Sequence, residues 1–318
     1  MAIAVIAFQI YFVFNMHPPV GFDVIALYNA INGKPYNFYY SFYPNNVSVF
    51  MYMNFWSQLF GSTSWLFLDL DTLVWVDLSA ILNILALYFI NKKLVVPGIY
   101  MHVLWLGLFP MIIVPYTDCW VLPFVSLYLL MWAILQNRPS YKIWSKILLA
   151  IIMALGVVGA YFIKPWAIIP FIAIVIIELL ACLKGNFNIS KVIVTVSFVL
   201  MGFVGYTVVN YHVQNQKYIA VDKDKGVTPF YYISLGMSEY SKYNGVDALE
   251  MANSKDTKNL NEISKRKIKE RLEARGSLGY IKFLLFKQNL NTSDGTFGWL
   301  KEGGFINEVM PNKSGFAQ

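Results

Sequence analysis

Residues 145–183 read SKILLAIIMALGVVGAYFIKPWAIIPFIAIVIIELLACL, two apolar runs (145–162 and 166–183) on either side of a Lys164-Pro165 turn. An α-helix rises about 1.5 Å per residue and the hydrocarbon core of a bilayer is about 30 Å thick, so each run is long enough to cross. Peptide groups in lipid must be satisfied internally, which makes such runs helices. Working outward, similar runs occur at 2–16, 73–91, 98–114, 119–135 and 191–211, giving seven expected spans. The chain is 57% hydrophobic and 14% charged with a mean hydropathy of +0.52, more apolar and less charged than a soluble domain. The fold class is therefore an all-α membrane protein, a multi-span helical bundle. Its first run starts at Met1 without a basic flank or a small-residue cleavage site, so it reads as a signal anchor.

The first 211 residues hold nine bases, and seven of them (Lys92, Lys93, Arg138, Lys142, Lys146, Lys184, Lys191) fall in three short loops separated by pairs of spans. The positive-inside rule assigns those loops to the cytoplasm. The turns around Asp118 and Lys164, the loop 17–72 and the segment 212–318 are then expected on the opposite, extracytoplasmic face. That parity requires 46–60, with its Asn46, Ser48, Asn54, Ser57 and Gln58, to lie in or dip into the outer leaflet rather than cross. Cys119 and Cys182 are expected at opposite faces, too far apart for a disulfide.

The domain division expected from composition is a membrane domain over 1–211 and a small α-rich, water-facing segment over 212–318, where sixteen bases meet twelve acids. In that segment Asn244-Gly245 reads as a turn, and Asp256–Arg275 as a charged helix stopped by Gly276. Leu278–Leu290 mixes apolar residues with Lys282 and Lys287, a composition suited to a helix on the membrane interface or to a packed core helix. The run Ser293–Trp299 is loop-like, and the chain stops at Gln318 without a closing element, reading as C-terminally truncated.

Several function classes have no motif to support them. There is no P-loop, no dinucleotide-binding glycine pattern and no nucleophile elbow. The three histidines (His17, His102, His212) are scattered, so a Cys/His zinc site is not indicated. The net charge of +7 fits cytoplasmic loops of a membrane protein rather than nucleic-acid binding.

Chemistry must then come from acids. Asp23 follows Pro18-Pro19-Val20-Gly21-Phe22 and opens a helix through Asn32, with Gly33 as its stop. A carboxylate there suits the helix dipole. Beside Tyr39, Tyr40, Phe42 and Tyr43 it also suits a general base that deprotonates an acceptor hydroxyl. Asp118 opens a later span after a turn, where the dipole again explains it. On the same expected face as Asp23 it could orient the acceptor or help hold a divalent cation. Lys164 is either a snorkelling anchor or a contact for a phosphate. Asp69 and Asp71 read as solvated loop or cap residues, Asp77 sits inside an apolar run, and Glu178 reads as a structural hydrogen-bonding acid.

With these residues in view, the chain resembles the bacterial GT-C membrane glycosyltransferases, the group that includes protein O-mannosyltransferase-like enzymes. The resemblance is carried by Asp23 in the first external loop, Tyr39-Tyr40-Ser41-Phe42-Tyr43-Pro44-Asn45-Asn46, the helix 47–60, Tyr116-Thr117-Asp118 and the Phe162-Ile163-Lys164-Pro165 turn. Pro229–Ser238 and Ser293–Trp299 add to it. The chain departs from the family in having a single Asp23, followed by Val24, where an acidic pair is common, and in lacking further C-terminal spans. The resemblance implies a GT-C-like fold that transfers a sugar from a polyprenyl-phosphate donor to an envelope glycan, lipid or protein on the outer face of the cell membrane. It implies Asp23 as base, Lys164 on the donor phosphate and Asp118 supporting acceptor or metal. Tyr40, Tyr43, Asn45 and Tyr116 would then shape the cavity. No cofactor is required of such a donor, and a divalent metal stays open.

Two other classes fit a multi-span chain with few acids. A transporter or flippase of envelope precursors would place polar sites near the bilayer midplane in matched halves, and no internal repeat is present. A non-catalytic assembly subunit would leave Asp23 dispensable.

Overall fold

The computed structural model describes residues 1–108, 111–183, 189–238 and 244–292. These are helical, without a strand among them. They form two compact units: Met1–Pro19 with Ser48–Gln216, and Val20–Val47 with the described part of Lys217–Phe305. One division between the units falls after Gln216, and residues 20–47 of the first loop fold with the C-terminal segment.

The first unit holds α1 (Ala2–Asn15). The helix α2 (Phe22–Ile31), the short α3 (Asn37–Phe42) and the start of α4 (Asn46–Phe60) pass through the second unit before α4 enters the first. Then come α5 (Trp65–Ile90), α6 (Val95–Leu108), α7 (Thr117–Trp120), α8 (Leu122–Asn137), α9 (Ile143–Ile163), α10 (Ile169–Leu183) and α11 (Ile189–Gln214). Among the described residues five stretches are long and apolar enough to cross a membrane: 65–90, 117–137, 143–163, 165–183 and 189–214. The expected spans 2–16 and 98–114 are shorter as helices. Each contains an α-helix of 14 residues, about 21 Å at 1.5 Å per residue. In the second case Pro110 follows closely in the sequence, and a proline disfavours helix at the residue before it. The bases Lys184 and the run 293–299 lie outside the described residues.

The bundle is built on α5, α8, α9 and α11, which pack in succession, with α1 and α6 against α5. Gly156 and Gly159 of α9 allow a close approach to α8. A Cβ on Gly156 would sit 3.3 Å from the Phe124 carbonyl, and one on Gly159 2.5 Å from the Phe124 ring. Small residues at such positions let helices meet without a hydrophobic drive from water. Polar side chains then tie helix to helix. Gln9 of α1 donates to Asp77 of α5 (3.1 Å), which accounts for an acid inside an apolar run. Trp120 Nε1 of α7 donates to Thr72 of α5 (3.1 Å). Trp132 Nε1 and Gln136 of α8 both donate to Glu178 of α10. Tyr128 of α8 donates to the Ala167 carbonyl (2.9 Å). No disulfide joins Cys119 to Cys182.

In the second unit α12 (Pro229–Gly236), α13 (Gly245–Ala252) and α14 (Thr257–Thr292) pack together. Phe42, Tyr231, Met251 and Leu260 form its core. Asn244, expected in a turn, is the N-cap of α13, accepting from Val246 N and Asp247 N at 3.1 Å, a role that asparagine fills well. Buried Asp247 accepts from Lys267 (3.0 Å) and Arg271 of α14. Arg271 also donates to the Ser234 carbonyl of α12 (2.7 Å). α14 breaks at Gly276, where the expected helix stop lies, with φ 61° and ψ 178°.

Two predictions follow from this packing. The Gly276 conformation is open to glycine almost alone and the space around it is empty, so Gly276→Ala is strained by about 1–3 kcal/mol. Limited proteolysis should then cut near 276 faster than in wild type. Burial alone would raise the Asp247 carboxyl, but the hydrogen bonds and charges of Arg271 and Lys267 outweigh it and hold the group low. Burial likewise works against the Lys267 ammonium, which Glu250 and Asp247 nonetheless hold above its ordinary value. The lowered acid stabilises the fold above its unfolded value of about 3.9 and loses that contribution as pH falls through the folded value; the raised lysine contributes below about 10.4 and loses it as pH rises beyond. The contribution of these two groups to the thermal midpoint should be flat between those limits, and Asp247→Asn should remove its part of the acid limb.

Candidate functional site

Asp23 lies in the first turn of α2, half-buried, where the free N–H groups and dipole of the helix favour a carboxylate. Gly33 (φ 76°) ends the element after an Asn32 C-cap, as its sequence suggests. Phe22, immediately before Asp23, has φ 43°, the single positive-φ position outside glycine among the described residues. A bulky residue there is strained, and such strain persists only where the surroundings over-determine it.

Two tyrosines of the same unit feel this carboxylate, Tyr40 and Tyr232. Buried Tyr40 donates to the Ala26 carbonyl of α2 (3.1 Å), and its hydroxyl is pushed well above the ordinary tyrosine range by burial and then by the charge of Asp23. Tyr232 is pushed up to about 12 by burial, by Tyr231 and by Asp23. Both phenols therefore stay protonated at neutral pH, that of Tyr40 with its proton on the Ala26 carbonyl. Behind them Tyr43 and Tyr231 share a hydroxyl hydrogen bond of 2.9 Å, and Tyr39 stacks edge-on to Tyr40 at 5.1 Å. Asn45 is exposed and donates to the Asn46 carbonyl oxygen (3.0 Å), while buried Asn46 donates to Tyr39. Phe42 O accepts from Val227 N (2.9 Å) and Ser41 Oγ from Asp222 N (2.8 Å). These bonds fix the 36–46 segment to the C-terminal half of the same unit.

The second constellation is in the other unit. Tyr116 caps α7 in an extended conformation, and Asp118 stands exposed in its first turn. Lys164, at the end of α9, is no lone anchor, since its Nζ is ion-paired with Asp118. The two side chains remain 32% and 53% exposed, so water screens the pair and it adds little stability. A cation and a carboxylate held this way can separate when a better anion arrives.

Asp69 and Asp71 require a correction. The expectation of solvated loop acids arose because their charges ended the apolar window at 73. The helix instead begins at Trp65, capped by Ser64 Oγ accepting from Phe67 N (3.2 Å). Asp71 accepts from Trp75 Nε1 (3.0 Å). Asp69 is fully buried, with neither carboxyl oxygen in a hydrogen bond. The Ser64 cap was the signal available in the sequence. Tyr231 and Tyr232 were also missed as site residues, although Pro229–Ser238 had been singled out. Among the described residues no three His, Cys, Asp or Glu side chains converge in a way that would hold a metal ion.

A buried polar group without a partner costs roughly 1–3 kcal/mol. Asp69→Leu, which keeps the branched skeleton and removes the polar atoms, should therefore raise the thermal midpoint of the purified protein. A lowered midpoint would mean that Asp69 is bonded in the folded protein.

Comparison with known proteins gives one match. The profile of a family described as conserved hypothetical integral membrane protein covers residues 1–318. No curated protein and no solved structure matches. Five stretches fit to cross a bilayer among the described residues agree with that description, and the chain belongs to this family of integral membrane proteins.

Proposed function

We propose that the protein is a membrane glycosyltransferase of the GT-C type, moving a sugar from a polyprenyl-phosphate donor to an envelope glycan, lipid or protein on the extracytoplasmic face. The observation that carries this reading is the setting of Asp23. It is a half-buried carboxylate at a helix start, preceded by a strained Phe22 and faced by the protonated phenols of Tyr40 and Tyr232. Such a group can accept a proton from a sugar or protein hydroxyl while aromatic faces and the Tyr232 O–H orient the acceptor.

In the proposed reaction the acceptor oxygen attacks the anomeric carbon as its proton passes to Asp23. The bond from that carbon to the phosphate oxygen breaks, and its electron pair leaves with the polyprenyl phosphate. Negative charge grows on the leaving phosphate, and Lys164 is the group assigned to stabilise it. Its pairing with Asp118 adds a step to this role, in which the phosphate takes the ammonium and Asp118 is released to solvent. The donor carries the activation, so the reaction asks for no nucleotide. The residues do not require a metal, and a divalent cation on the donor phosphate is compatible with them.

Transport of an envelope precursor is the second reading, and one observation favours it. Asp69 is a fully buried acid within a spanning helix, and intramembrane acids often mark an ion or substrate path.

The test is complementation of a deletion strain, reading the sugar content of purified envelope polymers and the level of polyprenyl-phosphate sugar. Asp23→Asn, present at wild-type level, should lower transfer by about 10²-fold or more, the typical contribution of a positioned base, and leave the donor accumulated. Lys164→Gln should act on donor affinity, and Asp118→Asn should act less severely. Equal restoration by wild type and Asp23→Asn, together with failure of Asp69→Asn, would replace the transferase reading with transport.

A further inference from the structure

The second half of α14, after the break at Gly276, is arranged with the polarity opposite to that of a helix facing water. Lys287 turns inward, donating to the Gly236 carbonyl of α12 at 2.8 Å. Phe283 is buried on that side, with the Arg275 guanidinium over its ring at 4.2 Å. Arg275 itself donates to the Met237 carbonyl (3.0 Å). The opposite face, at the helical spacing of three, then four residues, consists of Leu278, Ile281 and Leu285, which are 76%, 54% and 68% exposed. Leu284 and Phe286 extend it on either side, both exposed. Lys282 stands exposed on the same face.

Leaving so many large apolar groups in water is unfavourable, and a continuous patch of them marks a surface that meets another apolar phase. Charge decides which phase. No acid occurs between residues 274 and 292, and the cation on the exposed face is Lys282, a balance that suits anionic headgroups. The chain brings a bilayer close, because the unit is joined covalently to the membrane-embedded unit at Pro19–Val20, Val47–Ser48 and Gln216–Lys217. From these observations we infer that Leu278, Ile281 and Leu285 dock the helix on an anionic bilayer surface, with Lys282 on lipid phosphate. The break at Gly276 lets this half take its own direction, separate from the charged half before it. The charged half has a different surface, with Lys269 and Glu273 paired in water at 3.7 Å. This inference stands apart from the proposed transferase activity.

The experiment uses the full chain with Cys182→Ser, Cys119 being buried. A single cysteine at Leu285, Leu278 or Lys269 is labelled with bimane. The protein is reconstituted in phosphatidylcholine vesicles with or without phosphatidylglycerol. Labels at 285 and 278 should emit at shorter wavelength and be quenched by spin-labelled lipid, while the label at 269 is quenched by aqueous iodide. Lys282→Glu should reduce the lipid quenching at 285, and more so when phosphatidylglycerol is present. Iodide quenching at 285 and 278 equal to that at 269 would overturn the inference. Shielding of 285 from both quenchers would overturn it as well, showing that protein, from a second copy or from this chain, covers the face.

Discussion

Within a bilayer no water is present to bond a stray peptide or side-chain dipole, and the rest of the architecture follows from that lack. The backbone meets it by forming helices. Side chains meet it by finding partners across helices: Gln9 on Asp77, Trp120 on Thr72, Trp132 and Gln136 on Glu178. Each bond costs little to make and much to leave unmade, so each also fixes the register of two helices. The close approach at Gly156 and Gly159 then supplies the dispersion contacts that hydrophobic burial supplies in a soluble core.

Asp69 and Asp118 show two ends of the same balance. Asp69 is fully buried with no bond to either oxygen, where an ionised form would be costly. Asp118 stands at a helix start, paired with Lys164 and open to solvent, where charge is cheap and exchangeable. The acid in the exchangeable setting is the one suited to meeting a charged ligand. The acid in the sealed setting is a load on the fold unless something enters to relieve it.

The second unit is held differently, by a small aromatic core and by cations spanning its helices. Lys267, Arg271, Arg275 and Lys287 all reach from α14 to α12 or α13, ending on Asp247 or on main-chain carbonyls. With the long cationic side chains spent inward, the outward face of the second half of α14 is left to leucine and isoleucine. The same bonds that steady this unit therefore create the apolar surface it presents.

What the sequence determined by itself was whatever depends on local pattern. Apolar runs of 18 residues made spanning helices at 145–183 unavoidable, and the glycines at 33 and 276 ended helices where their backbone freedom is needed. The helix from Asn46 and the acid at the start of α2 were legible for the same reason, whereas the short helix Asn37–Phe42 inside the aromatic segment was not. Only the tertiary structure decided the partners. Asp118 and Lys164 are 46 residues apart, and Tyr43 and Tyr231 are 188 apart; no spacing rule links them. Asp69 and Asp71 were misread because charge closes a hydropathy window, whereas a helix capped at Ser64 can carry an acid inward when packing encloses it. The joining of residues 20–47 to the C-terminal segment was likewise invisible, since composition marks what a stretch is made of and only packing decides what it rests against.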